Sequence, residues 1–438
     1  MLLIQNGYMI DPRSGREGQY DILIDGNTIA RIGKEIEKPA ENCRVIDAKG
    51  LVAAPGLVDV HVHFRDPGYP LKEDIMTGAA AAAKGGFTTV VMMANTRPVI
   101  DNVETLDYVL KRGRETGIHV KSCANVTLGM GGRQLVPMKE LAAAGAAGFT
   151  DDGIPLLEER IVREAMEEAV RLDMPVSLHE EDPGLIGNNG INRGKASEYF
   201  GISGSPREAE IRLTERDLQL ALETGARVCI QHISARESVE LVRQAKERGG
   251  DVHAEATPHH FTLTEEAAVQ YGTLAKMNPP LREEADRQEI IRGLADGTID
   301  MIATDHAPHT AEEKARSITE APSGIIGLET ALALGITELV DKGYLSMRKL
   351  LELMSTNPAA LYHLDAGYLE EGGPADIVLL DPSAEFVPAV YASRSCNTPF
   401  TGWKLKGAVR ATICKGKPVY ESRACGLQTD ETDREEAG

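Results

Sequence analysis

The chain has 438 residues and a formal net charge of −20, and 42% of its residues are hydrophobic. The length exceeds what one compact core usually holds, so we expect a large domain accompanied by a smaller one. The acidic balance, without a block rich in Lys and Arg, argues against nucleic-acid binding, and no apolar run of about 18 residues predicts a membrane span. The N-terminus shows no basic segment followed by an apolar core, so we expect no signal peptide.

Six cysteines are scattered along the chain without a Cys-x-x-Cys pair, and several of them stand in apolar runs. They are Cys43, Cys123, Cys229, Cys396, Cys414 and Cys425. This usage predicts buried, reduced thiols and a cytoplasmic protein.

The two ends of the chain share a pattern of short strand-like segments separated by glycine-containing turns, which is typical of antiparallel β structure. The segments are Leu2 to Ile4, Asp21 to Ile24, Thr28 to Ile32, Asp376 to Leu380, Val409 to Cys414 and Pro418 to Tyr420. We therefore predict a small β-sandwich domain assembled from both termini, residues 1–52 and 365–429. The charged segment 430–438 is predicted to be a flexible tail.

Between these ends, short apolar runs alternate with longer amphipathic segments, which is typical of βα units with parallel strands. Eight strand candidates follow one another: Gly56 to Val62, Thr88 to Met93, Ile118 to Cys123, Ala146 to Thr150, Pro175 to Leu178, Arg227 to Gln231, Asp251 to Glu255 and Ile299 to Ala303. Eight such units predict an α/β fold, a (β/α)8 TIM-type barrel over residues 53–364. The long seventh connection, 256–282, suits a functional loop.

A His-x-His pair, His61 and His63, ends the first predicted barrel strand. Side chains alternate along a strand, so the two imidazoles share a face. Other ligand-type residues directly follow later strands: Asp151, Asp152, His179, His232 and Asp305. Each alone has an ordinary interpretation as a helix cap or a buried core residue. Because TIM-barrel active sites lie at this carboxyl rim, their common position favours a metal site.

Imidazole and carboxylate ligands suit zinc. Four histidines and two carboxylates exceed one tetrahedral site and suffice for two, so we expect a carboxylate to bridge two metals. Such a pair lowers the pKa of a bridging water and polarises a substrate carbonyl. Asp305 is predicted to be the catalytic residue, accepting the proton of that water and delivering it to the leaving nitrogen.

The run Gly56 to His63 resembles the amidohydrolase superfamily, and its continuation to Gly68 resembles the bacterial class I dihydroorotases. Similar runs follow in the same order over nearly the whole chain: Met93 to Thr96, Gly148 to Gly153, Lys276 to Arg282, Ala303 to His309, Gly327 to Glu329 and Asn357 to Ala359. The resemblance implies reversible cyclisation of N-carbamoyl-L-aspartate to L-dihydroorotate and water, the third step of pyrimidine biosynthesis.

The resemblance also implies two Zn²⁺ ions per subunit. One would be held by His61, His63 and Asp305, and the other by His179 and His232. Many relatives bridge the metals with a carboxylated lysine at the end of strand four, where this chain has two aspartates instead. The spacing to His179 favours Asp152 over Asp151 as the bridge.

The implied substrate carries a free carboxylate, for which Arg65 offers a planar, bidentate fork. The alternative for Arg65 is an ion pair with Asp66 at the surface. Asn95 and His309 follow neighbouring strand ends and are predicted to donate further hydrogen bonds, and His63 completes the substrate-binding side.

Three more contacts come from the resemblance alone. Asn278, in the seventh loop, would contact the ring amide. Ser323 and Gly324 would line the pocket through their backbone groups. The family usually has Phe-Gly at these two positions, so apolar packing against the substrate is not carried over.

Two other functions are weaker fits. An allantoinase or dihydropyrimidinase would share the fold and chemistry, but the missing bridging lysine and the presence of Arg65 and Asn95 argue against it. An inactive scaffold subunit for aspartate transcarbamoylase would be expected to lose metal histidines, which are all present. A homodimer, and association of an active enzyme with aspartate transcarbamoylase, are partner arrangements that the sequence leaves open.

Overall fold

The computed structural model describes residues 1–422. The predicted flexible tail and residues 423–429 of the predicted β domain lie outside the described residues. Over the described range the strands are β1 Leu2–Asp11, β2 Arg16–Asp25, β3 Thr28–Gly33, β4 Arg44–Asp47, β5 Val52–Pro55, β6 Leu57–Val62, β7 Phe87–Met92, β8 His119–Ser122, β9 Val176–Leu178, β10 Val228–Ile230, β11 Val252–Ala256, β12 Met301–Ile302, β13 Ile377–Phe386, β14 Leu405–Cys414 and β15 Lys417–Glu421.

Helices follow most of the central strands. They are α1 Ile75–Lys84, α2 Val103–Arg114, α3 Met138–Ala144, α4 Glu159–Leu172, α5 Lys195–Phe200, α6 Arg207–Thr224, α7 Arg236–Glu247, α8 Pro258–Thr262, α9 Glu266–Tyr271, α10 Glu284–Asp296, α11 Ala311–Lys314, α12 Ala331–Gly335, α13 Met347–Leu351 and α14 Asn357–Leu361. Short 3₁₀ turns cover Leu128–Met130 and Gly272–Ala275, and π-helical turns at Ile336–Val340 and Glu352–Thr356 extend α12 and α13. In residues 1–422 no helix is both long and apolar enough to cross a membrane.

The two ends of the chain, which the sequence predicts to form one small β domain, meet in one sheet. Its order is β15-β14-β13-β5-β1-β2-β3, with β4 paired to β1. The antiparallel pair β5–β13, with Ala54 opposite Val378, joins the N-terminal strands to the C-terminal ones. The predicted β-sandwich is thus a single eight-stranded sheet among the described residues. Alternating residues of its strands, such as Ile22 and Ile24, bury one face in their own core.

The central strands are parallel and run in chain order, in the groups β6-β7-β8 and β9-β10-β11-β12. The predicted fourth strand, Ala146 to Thr150, is reduced to an isolated bridge residue, Phe149, which pairs with Ala124 and Val176. Backbone hydrogen bonds still run on both sides of it, from Ala124 N to Gly148 O (3.0 Å) and from Phe149 N to Pro175 O (3.0 Å). The Ala-Ala-Gly start of this segment has low β propensity, which explains the short ladder.

The first and last central strands are linked in the same way. Val62, at the end of β6, bridges His306, which follows β12. The His63 amide donates to the His306 carbonyl at 2.9 Å. The central segment therefore has the strand order and helix alternation of a TIM-type α/β fold, with isolated bridges on both sides of Phe149 and between Val62 and His306.

The cysteine prediction holds for four of the five described thiols. Cys43, Cys123, Cys229 and Cys414 are buried and free. Cys396 is exposed, contrary to the prediction, because it lies in an irregular segment before β14 rather than in an apolar strand. Cys425 lies outside the described residues.

Candidate metal centre

Four imidazoles meet at the carboxyl ends of the central strands. His61 lies in β6 and His63 just beyond it, His179 directly follows β9, and His232 stands two residues after β10. All four are buried. The ring centroids of His61 and His232 are 5.1 Å apart, and those of His179 and His232 are 4.7 Å apart. The strand order thus brings together residues that are up to 171 positions apart.

The Asp152 carboxylate lies among these rings. Its Oδ1 is 3.4 Å from His61 Nε2, 3.6 Å from His232 Nε2 and 3.7 Å from His179 Nδ1. Its Oδ2 is 3.5 Å from His63 Nε2. These separations are long for hydrogen bonds and suit atoms that share a cation between them.

Asp305 completes the group on the side of the His-x-His pair. Its Oδ1 lies 3.0 Å from His63 Nε2 and 3.6 Å from His61 Nε2. The possible ligand atoms of His61, Asp152 and His232 all lie within 4.8 Å of one another. The same holds for those of His61, His63 and Asp305. His61 Nε2 and Asp152 Oδ1 are buried and, among the described residues, have no hydrogen-bond partner. The donor set therefore fits a metal centre.

Asp151 points away from this centre. Its carboxylate accepts hydrogen bonds from the amides of Val126 (2.8 Å) and Thr127 (3.2 Å) and from the Thr127 hydroxyl. Asp151 thus fixes the loop after β8, while Asp152 contacts the histidines. This geometry supports the choice of Asp152 as the bridging residue.

Other polar side chains orient the ligand rings through their second nitrogen. Glu255 lies 2.5 Å from His61 Nδ1, Asn95 lies 3.0 Å from His63 Nδ1, and Glu181 lies 3.3 Å from His179 Nε2. Such partners fix the tautomer of a metal-binding histidine and raise its basicity. The sequence analysis missed both glutamates. Glu255 ends a predicted strand and Glu181 stands two residues after His179, so rim position and i, i+2 spacing could have indicated them.

The charges of the site favour bound cations. Burial disfavours the imidazolium of His61, but the Glu255 and Asp152 carboxylates overcome it and hold the pKa of His61 well above its usual range. For His179, burial is likewise outweighed by contacts with Asp152 and Glu181, which raise its pKa to about 10. Burial opposes ionisation of Asp152, yet the histidines hold its pKa well below the usual range. The carboxylates thus create a strongly negative site for positive charge.

A cavity of about 120 Å³ opens beside the histidines. Arg65, Asn95, Asn278, Ser323 and Gly324 line it together with His63 and Asp305. Asn278 Oδ1 and Ser323 Oγ are buried and, within residues 1–422, lack hydrogen-bond partners. A buried polar atom without a partner is costly, so these two atoms are available to a polar ligand.

Arg65 faces this cavity rather than forming an ion pair with Asp66. Its Nε donates to the Pro308 carbonyl at 3.4 Å, and Asp66 accepts a hydrogen bond from the Tyr108 hydroxyl at 3.0 Å. The backbone of Arg65 has φ 59°, a left-handed conformation that a non-glycine residue rarely adopts. His232 (φ 33°) and Asp305 (φ 47°) share this feature, and such strain is typical of functional sites.

Two predicted donors have other partners here. His309 Nε2 lies 2.8 Å from the Ser323 carbonyl, and Lys72 Nζ lies 3.3 Å from His309 Nδ1. His309 thus stands behind the Ser323 backbone and does not line the cavity. Asn95 does line it, but its amide nitrogen also donates to the Asp152 carbonyl at 3.2 Å. Their roles as direct substrate donors stay predictions.

Comparison with known proteins places this site in a family. The sequence profile of the amidohydrolase family matches residues 52–419. The chain therefore belongs to the amidohydrolase family, enzymes in which a metal centre of this kind is expected.

Two relatives of known name are dihydroorotases. The dihydroorotase of Clostridioides difficile (strain 630) is 54% identical over 422 residues, covering 96% of this chain and all of the relative. The dihydroorotase of Clostridium acetobutylicum is 51% identical over 425 residues, covering 97% of this chain and all of the relative. Among solved structures, the L-hydantoinase (dihydropyrimidinase) of Arthrobacter aurescens superposes with a TM-score of 0.87 at 26% identity, covering 96% of each chain.

Proposed function

We propose that this chain is a dihydroorotase, a hydrolase of cyclic amides that interconverts N-carbamoyl-L-aspartate and L-dihydroorotate. Relatives of that name match it at 49–54% identity over almost the whole chain. The observation that carries the proposal is the position of Arg65, which lines the same 120 Å³ cavity as the metal-ligand histidines. A guanidinium beside the reacting centre suits a ring substrate that bears a carboxylate.

The proposed cofactor is a pair of Zn²⁺ ions. His61, His63 and Asp305 would hold one ion, His179 and His232 the other, and Asp152 would bridge them. When bound, the pair lowers the pKa of a water and polarises the amide carbonyl.

Asp305 is the proposed proton carrier. It lines the cavity, and its contact with His63 and the nearby His61 keep its pKa below the usual range despite burial. It is therefore ionised at neutral pH, which is the state that a general base requires. In the hydrolytic direction it takes the proton of the attacking water and gives it to the ring nitrogen as the amide bond breaks. In the cyclising direction it removes the proton from that nitrogen as the C–N bond forms and gives it to the leaving hydroxide, which departs as water.

The remaining cavity residues bind and orient the substrate. Arg65 would bind the carboxylate through its guanidinium fork, assisted by Asn95. The free Oδ1 of Asn278 would accept from a ring N–H, and the Ser323 and Gly324 backbone would contact the ring edge. Holding both ends of the ring places the amide carbonyl against the metal ligands.

The matched pair L-dihydroorotate and dihydrouracil tests the Arg65 role, because the two rings differ in the carboxylate. Replacing Arg65 with Gln should raise KM for dihydroorotate by about 10- to 100-fold, the worth of a charged hydrogen bond of about 1.5–3 kcal/mol. Any turnover of dihydrouracil should be unchanged. An Arg65→Gln enzyme with normal KM for dihydroorotate would refute carboxylate binding by Arg65.

Partners and location follow from the same proposal. The enzyme would act in the cytoplasm on a small-molecule substrate. A homodimer and association with aspartate transcarbamoylase are compatible with it. The inactive-scaffold alternative is disfavoured because every proposed metal ligand is present and faces one centre.

A further inference from the structure

A second cluster of ligand-type side chains lies far from the catalytic rim, where the barrel meets the eight-stranded sheet. His119 begins β8, Asp376 directly precedes β13, and Cys414 ends β14. His119 stands at the amino end of its barrel strand, opposite the end that carries the catalytic residues. The cluster is therefore separate from the metal centre described above.

The three side chains converge on one point. One ligand atom of each, an imidazole nitrogen, a carboxylate oxygen and the Cys414 Sγ, lies within 4.8 Å of the other two. His119 Nε2 is 3.0 Å from Asp376 Oδ2. Asp376 and Cys414 are buried, and the His119 side chain is 33% exposed. His119 and Asp376 also line a cavity of about 300 Å³.

The Asp376 carboxylate accepts a hydrogen bond through one oxygen, and its other oxygen lies beside His119 without one. Its Oδ1 accepts a hydrogen bond from the Lys415 amide at 2.8 Å. Its Oδ2 is buried and, within the part of the chain that the structure describes, has no donor in hydrogen-bond geometry, since the contact with His119 is misaligned for one. Only 3% of Asp376 is exposed, so this oxygen is buried with His119 beside it but without an aligned hydrogen bond, and it can accept a cation.

We propose that His119, Asp376 and Cys414 bind one divalent cation of the zinc class. Imidazole and thiol ligands select zinc-like ions over Mg²⁺ and Ca²⁺, which prefer oxygen. Three protein ligands beside a cavity leave a further coordination position for water. The ion would link β8 of the central segment to β13 and β14 of the sheet. Its role would be to stabilise the contact between these two parts of the fold.

The surrounding charges agree with this assignment. Burial and the neighbouring Asp376 carboxylate raise the pKa of the Cys414 thiol, so the cluster without a cation keeps the proton on sulfur. A bound cation reverses this balance, because it deprotonates a coordinating thiol and compensates the carboxylate. The ammonium of Lys415, which lines the cavity, is engaged elsewhere, since Lys415 Nζ donates to the Ile118 carbonyl at 2.9 Å.

Cobalt substitution tests the site independently of catalysis. The residues proposed for the catalytic centre include no cysteine, so a thiolate-to-cobalt charge-transfer band in the near ultraviolet would report only a cysteine site. The Co²⁺-loaded full chain should show this band. Cys414→Ala should abolish it and lower the bound cobalt by one ion per chain, while the exposed-thiol control Cys396→Ser should keep both.

A second variant covers the case in which Cys414→Ala fails to fold. His119→Gln changes a partly exposed side chain and should also lose one ion and the band. The proposal is overturned if the wild-type chain shows no band, or if the band and the ion count survive in His119→Gln or Cys414→Ala. Each result stands whether or not the catalytic centre holds two ions.

Discussion

At the scale of single residues, the side chains of the neighbouring aspartates Asp151 and Asp152 point in different directions and make different contacts. Asp152 lies within 3.7 Å of all four histidines, whereas Asp151 is bonded to the backbone of Val126 and Thr127. Adjacent residues point to different sides, so one contacts the site and the other fixes the loop that leads to it.

The paired variants Asp152→Ala and Asp151→Ala should separate these roles. Asp152→Ala should lose bound zinc, because the histidines lose the carboxylate they share. Asp151→Ala should keep its zinc and lose stability by about 1–3 kcal/mol, the cost of leaving buried amides without an acceptor. Metal analysis and urea unfolding of both proteins check this, and the reverse pattern of zinc loss would show that Asp151 is the ligand.

Asp305 carries the second residue-level prediction. Asp305→Asn should lower kcat by about 10²- to 10⁴-fold, because the amide cannot accept the proton of the attacking water. Steady-state kinetics on dihydroorotate, with the zinc content measured on the same sample, separates proton transfer from metal loss. Near-normal turnover would contradict the role of Asp305 as proton carrier.

Residue identities at the strand ends were predictable, and their partners were only partly so. An imidazole or carboxylate just after a predicted strand indicates the rim from the sequence alone, and the structure has His179, His232 and Asp305 after β9, β10 and β12. Sequence spacing does not show which way a loop side chain points. The contacts of the His309 ring with the Ser323 carbonyl and with Lys72 were therefore not predicted. Glu255 was missed because a glutamate at the end of a strand has many ordinary interpretations.

At the scale of elements, two buried lysines hold the loop that lines the substrate cavity. Lys276 Nζ donates to the Ala321 carbonyl at 2.7 Å, and Lys314 Nζ donates to the Pro322 and Gly324 carbonyls at 2.9 and 3.0 Å. Burial and the nearby Lys276 lower the pKa of Lys314 from 10.5 to about 7. The folded protein therefore binds the Lys314 proton more weakly than the unfolded chain does.

This shift predicts a pH dependence of stability. Between pH 7 and pH 10.5 the unfolded chain keeps a proton on Lys314 that the folded protein has released, so the free energy of unfolding rises with pH through this window. Lys314→Met should remove about 2–3 kcal/mol of that rise between pH 7.5 and 9.5. Urea unfolding at the two pH values measures it, and an equal rise in both proteins would contradict the shifted pKa.

The strands also show where pattern reasoning fails. The order and parallel direction of the central strands follow from alternating apolar and amphipathic segments. The segment Ala146 to Thr150 occupies its expected place but pairs only through Phe149, since ladder length depends on packing that the local sequence does not reveal.

At the scale of the whole molecule, one sheet made from both chain ends is joined to the βα segment that carries the site. The pairing of β5 with β13 closes the two ends together. The sequence predicts that both termini contribute, because both show short strands and glycine turns. Whether such strands form one sheet or two depends on long-range pairing, such as the parallel contact of β1 with β4, which no local pattern indicates.

The central claim is that the cavity selects a ring amide with a carboxylate beside the metal ligands. The most direct measurement is kcat/KM of the zinc-loaded enzyme for L-dihydroorotate, dihydrouracil and allantoin under the same conditions. We expect dihydroorotate to exceed the other two by about 10²-fold or more, because a site that binds a charged group rejects rings that lack it. Faster turnover of dihydrouracil or allantoin than of dihydroorotate would contradict the account.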